Sequence, residues 1–583
     1  MIVRKGFTKL AIVGMALSFV SITHAATVTP SLTLNTDKVR YLPGQQVYVT
    51  AQIKPAPTTT AFLSLSQWHL GTRLGGSRIP VGTSGIVTVS WKAPIADYQG
   101  YLMTAELSSP ALTSSIGVDV SSDWGKFVRY GYLGNFGTMT VASQNAIINN
   151  LARYHINGLQ FYDWQDSHNQ PLSFTAGSNR PLTSWKDIAN RSTVLSTINT
   201  YISLAHNDGI KAMNYNLIMG AYANASGVSS QWGIYKDKKH TTQDFHPLPS
   251  TWESNLYLEN PNNPQWQSYI VTQEKKVQTA LPFDGWHVDQ LGSRGTIYDY
   301  SGNSVDLSLG YKNFLAYAKS QLGYDIAMNA VDQFGASQII SSNALTFAYS
   351  ELWSGHETYQ SLKQVIDENT TLSNNKLATV IAAYMDYNNA DSPGKFNDAG
   401  VLLTDATIFA SGGSHLELGE HMLGKEYFPN SNLAMSDELT TKLIAYYDFL
   451  TAYENLLRDG GIEFSPGITL SNSIPVSSGT NFTTNTVWVI AKAKSTTSVY
   501  QLLNFRGVVD NACRDTFGTQ PKPTALSNIT VTIKDTAAVK SVWMASPDRS
   551  NGAPTALSFT QSNGNVQVTL PSLAYWDQLV LQH

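Results

Sequence analysis

Two acidic residues follow short apolar segments in the middle of the sequence. Asp289 ends residues 285–289 (GWHVD), and Glu351 follows residues 345–350 (LTFAYS). A pair of carboxyl groups can cleave a glycosidic bond, because one carboxylate attacks the anomeric carbon while a protonated carboxyl group donates to the leaving oxygen. Trp353 stands two positions after Glu351, and an indole there would partly desolvate this carboxyl group and keep it protonated near neutral pH. The two residues therefore indicate glycosidic-bond chemistry if the fold brings them together.

Other polar and aromatic residues also stand where apolar segments end. Each could simply cap the helix that follows, but several of them on one rim would favour a binding site. The candidate substrate-binding residues are Tyr130, Tyr162, Asp163, Trp164, Gln165, Asn216, His287, Gln290, Asn329, Trp353, Tyr384, Asp386, His415 and Glu417. Trp286 either lines the same cleft or fills the interior of the fold.

Other catalytic chemistries fit the sequence less well. His415 and His421 are six positions apart, which does not place both on one helical face, and His-Glu-x-x-His does not occur. Residues 411–414 (SGGS) lack the Gly-x-Ser-x-Gly form of a nucleophile elbow. Cys513 is the single cysteine, which excludes intramolecular disulfides, thiolate zinc clusters and iron–sulfur sites. The sequence predicts no metal and no cofactor.

Strand-like and helix-like segments alternate around these candidates, from about residue 123 to residue 457. The predicted strands are residues 127–132, 158–162, 211–216, 285–289, 325–329, 345–350 and 379–384, with a last one near 407–410. Helices are predicted between them, for instance over residues 141–155, 194–207, 310–322 and 437–457. Eight such repeats favour a (β/α)8 barrel over an open sheet, which would usually carry a Gly-x-Gly-x-x-Gly turn. Catalytic groups of such barrels lie where strands end. Asp289 on the fourth strand and Glu351 on the sixth would therefore face one pocket, with Asp284 at the opposite end.

Segments rich in Ser, Thr and Val precede and follow the barrel, and their short alternating runs are typical of β-sandwiches. We therefore expect an N-terminal immunoglobulin-like β-sandwich over residues 26–121, a catalytic barrel over 122–459 and a C-terminal antiparallel β-sandwich over 460–583.

The N-terminal residues 1–25 have the pattern of a secretion signal. Basic residues precede an apolar segment over 10–22, and residues 23–25 (THA) supply a small-x-small cleavage pattern. The apolar segment is too short for a comfortable membrane span. The 38 basic and 42 acidic residues form no long basic run, which argues against a nucleic-acid partner. We expect cleavage near Ala25, secretion to an extracellular or periplasmic location, no membrane span and a monomer.

Six motifs of the barrel region resemble those of glycoside hydrolase family 66, the endo-dextranases and cycloisomaltooligosaccharide glucanotransferases. They are residues 127–133 (FVRYGYL), 156–165 (INGLQFYDWQ), 283–292 (FDGWHVDQLG), 327–331 (AMNAV), 349–353 (YSELW) and 415–420 (HLELGE). The resemblance implies cleavage or transfer of α-1,6-linked glucan with retention of configuration. It also implies Asp289 as the nucleophile and Glu351 as the acid/base. Glu357, six positions on, is the alternative acid/base and is expected further out on the loop.

The cyclising members of that family carry a large carbohydrate-binding insertion late in the barrel, and residues 384–407 leave no room for one. We therefore expect endo-hydrolysis of dextran to isomaltooligosaccharides, with these glucans as the partners. The alternatives are a cycloisomaltooligosaccharide glucanotransferase and a non-catalytic glucan-binding protein.

Overall fold

The computed structural model describes residues 29–583. The predicted signal peptide over residues 1–25 lies outside the described residues. Among the helices within 29–583, none combines the length and the apolar character that crossing a membrane requires.

Two antiparallel sheets form the N-terminal region, ordered β1-β2-β5 and β4-β3-β6-β7. Their strands are β1 Ser31–Thr36, β2 Gln46–Lys54, β3 Ala61–His69, β4 Thr72–Val81, β5 Ile86–Lys92, β6 Gln99–Ser108 and β7 Ala111–Val120. Alternation along β2 buries Val47, Val49 and Ile53 on one face, and these side chains share a core with Leu63 and Met103 of the other sheet. The immunoglobulin-like arrangement of these strands stays a prediction.

Strands and helices alternate over the middle of the chain. The strands are β8 Tyr130–Leu133, β9 Gly158–Phe161, β10 Ser184–Lys186, β11 Ser192–Val194, β12 Lys211–Leu217, β13 Gly220–Tyr222, β14 Phe245–His246, β15 Leu256–Leu258, β16 Gly285–Asp289, β17 Asp325–Val331, β18 Ala348–Glu351, β19 Thr379–Ala382, β20 Gly394–Lys395, β21 Ser414–His415 and β22 Leu433–Ala434. The helices are α1 Val141–Arg153, α2 Leu195–Asn207, α3 Pro264–Ala280, α4 Leu307–Leu322, α5 Ala336–Ser341, α6 Tyr359–Leu372, α7 Asp398–Ser411, α8 Asp437–Ala452 and α9 Glu454–Leu457.

Eight parallel strands form the barrel, in the order β8-β9-β12-β16-β17-β18-β19-β21. The barrel is nearly closed, because the Tyr132 N–H of β8 donates to the carbonyl of Leu418 just after β21, at 3.1 Å. The predicted barrel is thereby confirmed. Asp289 ends the fourth barrel strand and Glu351 ends the sixth, as the sequence predicted. Asp284 lies at the opposite end, where it accepts hydrogen bonds from Lys211 and His206.

The prediction of a last strand near residues 407–410 is wrong, since these residues lie inside α7. Every α7 residue from Ala399 to Ser411 is buried, so the segment reads as one continuous apolar run, and such a run does not distinguish a strand from a buried helix. Asn397 caps the helix, and Gly412 ends it in the left-handed region at φ 100°. The eighth barrel strand is the two-residue β21.

Two further sheets form the C-terminal region. Their strands are β23 Ile462–Glu463, β24 Ile468–Leu470, β25 Val476–Ser478, β26 Val487–Lys494, β27 Thr497–Asn504, β28 Leu526–Lys534, β29 Ser541–Ala545, β30 Thr555–Leu557, β31 Phe559–Ser562, β32 Asn565–Leu573 and β33 Trp576–Gln582. The pairing is antiparallel except for β25, which runs parallel to β26. The domain boundaries given above stay predictions.

Candidate active site

A pocket of about 450 Å³ opens at the carboxyl ends of the barrel strands. It contains both of the carboxylates singled out in the sequence and several of the candidate binding residues. The predicted residues that line it are Tyr162, Asp163, His287, Asp289, Gln290, Asn329, Glu351, Trp353 and Tyr384. The structure therefore brings the proposed catalytic pair and its neighbours to one place.

Strand alternation explains which side chains reach this pocket. On β16, His287 and Asp289 point into the barrel, because they are two positions apart and so share one face of the strand. The intervening Trp286 points the other way and packs against Phe314 of α4, with the ring centroids 5.8 Å apart. Trp286 therefore belongs to the layer between strand and helix and neither lines the cleft nor fills the barrel interior.

One amide group joins the two carboxylates. The Asn329 Nδ2 group, on β17 between them, donates to Asp289 Oδ1 and to Glu351 Oε2, at 2.9 Å each. Asp289 accepts two more hydrogen bonds, from the Tyr215 hydroxyl at 2.7 Å and from the Gln290 N–H at 2.8 Å. Glu351 accepts one more, from the Tyr384 hydroxyl at 2.8 Å. The three strands β16, β17 and β18 thus fix both carboxyl groups at the pocket floor.

Burial raises the pKa values of both members of this pair. Burial raises the pKa of Glu351 from its ordinary 4.5 to about 7, with a further contribution from the charge of Asp289. Burial also raises the pKa of Asp289, but its three hydrogen-bond donors oppose this effect. Because the charge of Asp289 adds to the effect of burial at Glu351, the proton of the pair resides preferentially on Glu351 while Asp289 carries the negative charge.

Tyr130 lies beneath the pocket and does not line it. It is fully buried, and its ring stacks on His287 at a centroid distance of 5.7 Å and an interplanar angle of 6°. Burial lowers the pKa of His287 to about 3, so this imidazole is neutral at physiological pH. Tyr130 therefore supports the floor of the site through His287, which corrects its prediction as a substrate contact.

Three more predicted binding residues, all near β9 and β12, point away from the pocket. The Trp164 indole N–H donates to Asn214 at 2.7 Å, and the ring packs against Phe283. Gln165 is hydrogen-bonded to His168, and Asn216 donates to Glu274 of α3 at 3.0 Å. None of the three residues lines the pocket.

The remaining predicted binding residues, Asp386, His415 and Glu417, are also outside the pocket lining. Asp386 accepts the Asn397 N–H at 3.0 Å and immediately precedes the short 3-10 helix Tyr387–Asn389. His415 and Glu417 form a buried group with Asp405 of α7. A polar residue at a strand end is thus not by itself a pocket residue, because the loop that follows can fold over it.

That buried group contains the one set of three His and acidic side chains, among the described residues, that is close enough to hold a metal ion. Both ring nitrogens of His415 already face acceptors. Nδ1 lies 2.8 Å from Asp405 Oδ1, and Nε2 lies 2.9 Å from the carbonyl of Ala383. Nε2 faces a carbonyl oxygen and so donates to it, and Nδ1 is taken up by its hydrogen bond with Asp405, so the hydrogen bonding does not favour a metal site.

Glu357, the alternative acid/base, lies in the loop after β18 and is exposed. Its backbone carbonyl accepts the Cys513 N–H at 2.9 Å. The side chain does not line the pocket, whereas Glu351 does. The geometry therefore favours Glu351 over Glu357 as the partner of Asp289.

Sequence reasoning missed Tyr215 and the aromatic residues of two long loops. Tyr215 stands between Asn214 and Asn216 on β12, and alternation places it on the opposite face from them, so the choice of Asn216 as a pocket residue excluded Tyr215. Trp252 and Tyr427 line the pocket mouth, with their rings 5.3 Å apart. They come from irregular loops whose course no periodicity reveals.

A second cavity, of about 360 Å³, lies near the amino-terminal end of β19. Two acidic side chains line it, Asp367 and Glu463, and Lys363 donates to both of them at short distance. Both carboxylates are ion-paired with one lysine, unlike the pair in the first pocket.

Comparisons with known proteins identify relatives along nearly the whole chain. The model of glycosyl hydrolase family 66 matches residues 36–580. A cycloisomaltooligosaccharide glucanotransferase of Niallia circulans is 30% identical over 94% of this chain and 72% of its own length. A dextranase of Streptococcus salivarius is 27% identical over 83% of this chain and 67% of its own length.

Solved structures show the same likeness. The crystal structure of a cycloisomaltooligosaccharide glucanotransferase of Paenibacillus sp., complexed with cycloisomaltoheptaose, has a TM-score of 0.88 and 27% identity, covering 94% of this chain and 100% of that one. A maltogenic α-amylase of Thermotoga neapolitana, with a TM-score of 0.50 and 9% identity over 79% of this chain and 99% of that one, shares the fold alone.

Proposed function

The chain belongs to glycosyl hydrolase family 66, and on that premise we propose that it is an endo-acting dextranase that hydrolyses α-1,6-glucosidic linkages with retention at the anomeric carbon. A dextranase is among its relatives. The products would be linear isomaltooligosaccharides.

The observation that carries the proposal is the Asn329 bridge. The two facing oxygens of the pair each lie 2.9 Å from one nitrogen, so these oxygens are no more than about 5.8 Å apart. A retaining pair has about 5–5.5 Å between its carboxyl groups. An inverting pair needs about 6.5–9.5 Å, which leaves space for a water molecule between carboxyl group and sugar. The spacing therefore supports retention.

The reaction follows from the protonation states of the pair. Glu351 donates its proton to the glycosidic oxygen while the Asp289 carboxylate attacks the anomeric carbon, so the bond to the leaving chain breaks as the glycosyl–Asp289 ester forms. The Glu351 carboxylate then takes a proton from a water molecule, whose oxygen displaces Asp289. Both carboxyl groups return to their starting states.

Hydrolysis rather than cyclisation is supported by the length of the late barrel. Only a short connection separates β19 from α7, which begins at Asp398. The alignment to the Niallia circulans glucanotransferase extends over 703 residues while covering 94% of this 583-residue chain, so that relative carries segments absent here. Without such a segment to hold the acceptor end of the glucan, water would usually resolve the intermediate.

The second candidate is a cycloisomaltooligosaccharide glucanotransferase. It is favoured by the identity of 30% over 94% of the chain, against 27% over 83% for the dextranase. The same glycosyl–Asp289 intermediate would then be resolved by a hydroxyl group of the same glucan chain, which gives a cyclic product.

The test is incubation of the purified protein with dextran, starch and cellulose, with product size followed over time and proton NMR of the first products. We expect cleavage of dextran, linear products and α-anomers ahead of mutarotation. New β-anomers would contradict retention, and a dominant yield of cyclic products would favour the second candidate. Cleavage of starch alone would point to an amylase-like enzyme, and no cleavage would point to a glucan-binding protein.

We also propose that the protein acts outside the cytoplasm, on the basis of the signal pattern over residues 1–25. Expression in a secreting host followed by N-terminal sequencing should give a chain that starts at Ala26. A chain that stays in the cell with its N-terminus intact would contradict this.

A further inference from the structure

A segment of the C-terminal region reaches the rim of the barrel beside the pocket. Residues 510–520, which we call the rim loop, lie in the connection between β27 and β28. The Cys513 N–H donates to the carbonyl of Glu357 at 2.9 Å, and the Asp386 N–H donates to the carbonyl of Arg514 at 3.1 Å. The rim loop is therefore bonded to the two barrel loops that follow β18 and β19.

Arg514 extends from the rim loop between those two barrel loops. The side chain is almost fully enclosed, at 5% exposure. Its guanidinium carbon lies 4.8 Å from the ring centroid of Trp353 and 5.0 Å from that of Tyr387. Its Nε donates to the carbonyl of Tyr384 at 3.2 Å, and its Nη1 lies 3.5 Å from the carbonyl of Leu352.

Three of these four contacts are with residues that lie within two positions of Glu351 in the chain or donate a hydrogen bond to it. Leu352 follows Glu351 directly in the chain, and the hydroxyl of Tyr384 donates to Glu351 Oε1 at 2.8 Å. The Asp289 carboxylate is held differently, by Tyr215, Asn329 and its own neighbour's N–H. Arg514 thus acts on one half of the carboxylate pair.

We propose that Arg514 is a positioning residue for the acid/base, so that the C-terminal region is a working part of the active site. The inference rests on the proposed function, because it takes Glu351 as the proton donor. A planar guanidinium can offer its edge to two carbonyl groups and its faces to two aromatic rings at once, which an ammonium group cannot do. It thereby fixes the ends of β18 and β19 relative to each other.

The expected consequence is a defect in proton donation rather than a general loss of activity. A misplacement of about 1 Å can cost about 100-fold in rate. Cleavage of dextran needs the proton, since the leaving group is a sugar alcohol. Cleavage of a 4-nitrophenyl α-glycoside of an isomaltooligosaccharide needs it much less, since nitrophenolate leaves unaided.

The experiment compares Arg514→Met and Arg514→Lys with the wild type on both substrates. Arg506→Met is the control, because Arg506 lies in the same connection but donates to Asn485 within the C-terminal region. For Arg514→Met we expect kcat/KM to fall about 100-fold on dextran and less than about 10-fold on the nitrophenyl glycoside. Arg514→Lys should fall between Arg514→Met and the wild type, and Arg506→Met should match the wild type on both substrates.

Equal losses on the two substrates, in step with a lower melting temperature, would assign Arg514 a structural role only and overturn the inference. So would unchanged kinetics. If Arg514→Met fails to fold, the loss of kcat/KM on dextran relative to that on the nitrophenyl glycoside in Arg514→Lys decides between the two roles. If the wild type cleaves dextran and both Arg514 variants keep the wild-type ratio of kcat/KM on the two substrates, the proposed function stands and this inference alone is refuted. A wild type that cleaves neither substrate would refute both.

Discussion

The barrel contains two carboxylate pairs built from the same kinds of residue. In one, Asn329 joins Asp289 to Glu351, and the Tyr384 hydroxyl donates to Glu351 at 2.8 Å. In the other, His415 lies 2.8 Å from Asp405 and 3.4 Å from Glu417, and the Tyr447 hydroxyl donates to Glu417 at 2.9 Å. The first pair lines the pocket, whereas Asp405, His415 and Glu417 are at most 1% exposed.

The two pairs differ in the residue that joins their carboxyl groups and in their access to solvent. A neutral amide leaves the first pair with one negative charge and one proton, which is the state that glycosidic-bond cleavage requires. In the second pair the joining group is an imidazole, whose Nδ1 is hydrogen-bonded to Asp405 and whose Nε2 faces the carbonyl of Ala383, in an environment closed to solvent. Burial, with the neighbouring Asp405, raises the pKa of Glu417 to about 8, so the second pair also retains a proton. Similar groups of residues therefore line the pocket in one place and are buried in the core in the other.

The largest expected effect is that of Asp289→Asn. The change is nearly isosteric but removes the proposed nucleophile, so kcat on dextran should fall by about 10⁴-fold or more. The melting temperature should change little. Sodium azide should partly restore turnover in Asp289→Gly, because the small anion can occupy the space of the missing carboxylate.

The matched control is Asp405→Asn, the same substitution in the buried pair. It should lower the melting temperature and leave kcat within about twofold of the wild type for the folded protein. Loss of dextran cleavage in Asp405→Asn at full stability would show that the buried pair takes part in the reaction.

Glu351→Gln should have the next largest effect, about 10³-fold on dextran. Its loss on a nitrophenyl α-isomaltooligosaccharide should be much smaller, because that leaving group needs no proton. Glu357→Gln, on the exposed loop, should stay close to the wild type on both substrates. An inactive Glu357→Gln beside an active Glu351→Gln would reverse the assignment of the acid/base.

His415→Asn tests the buried pair itself. Removal of the imidazole leaves two buried carboxyl groups without their joining group, and breaking a buried pair in this way typically costs about 3–5 kcal/mol. We expect a lower apparent melting temperature by calorimetry and nearly unchanged kcat for the protein that remains folded. A stable variant with impaired kcat would instead connect His415 to catalysis through its contact with Ala383.

The barrel could be predicted because most of its segments carry a clear periodicity. The exception is α7, whose residues are buried on all sides, so that no polar face marks it as a helix. The proposed catalytic pair could be located because Asp289 and Glu351 end β16 and β18, and only β17 lies between these two strands in the barrel.

The composition of the binding site could be predicted only in part. His415 ends β21 just as Glu351 ends β18, and Glu417 follows two positions later. Only the fold shows that α7 and α8 cover both residues. Asn216 and Tyr215 are neighbours on β12. Asn216 faces the helices, whereas Tyr215 faces the pocket. Arg514 comes from the C-terminal region, far away in sequence, and no local pattern connects it with the barrel.

The smallest effect we predict is a shift in the pH profile of Tyr384→Phe. A general acid must be protonated, so kcat/KM of the wild type should fall as the pH rises through about 7, the pKa to which burial and Asp289 raise Glu351. The Tyr384 hydroxyl donates to the Glu351 carboxylate and so favours its ionised form. Its removal raises the pKa of Glu351 further, and the alkaline limb should move to higher pH while the maximum falls by no more than about 10-fold. Tyr447→Phe removes the equivalent hydroxyl from the buried pair and should leave the profile where it is. A limb that moves to lower pH in Tyr384→Phe, or that moves equally in both variants, would mean that Glu351 does not set it.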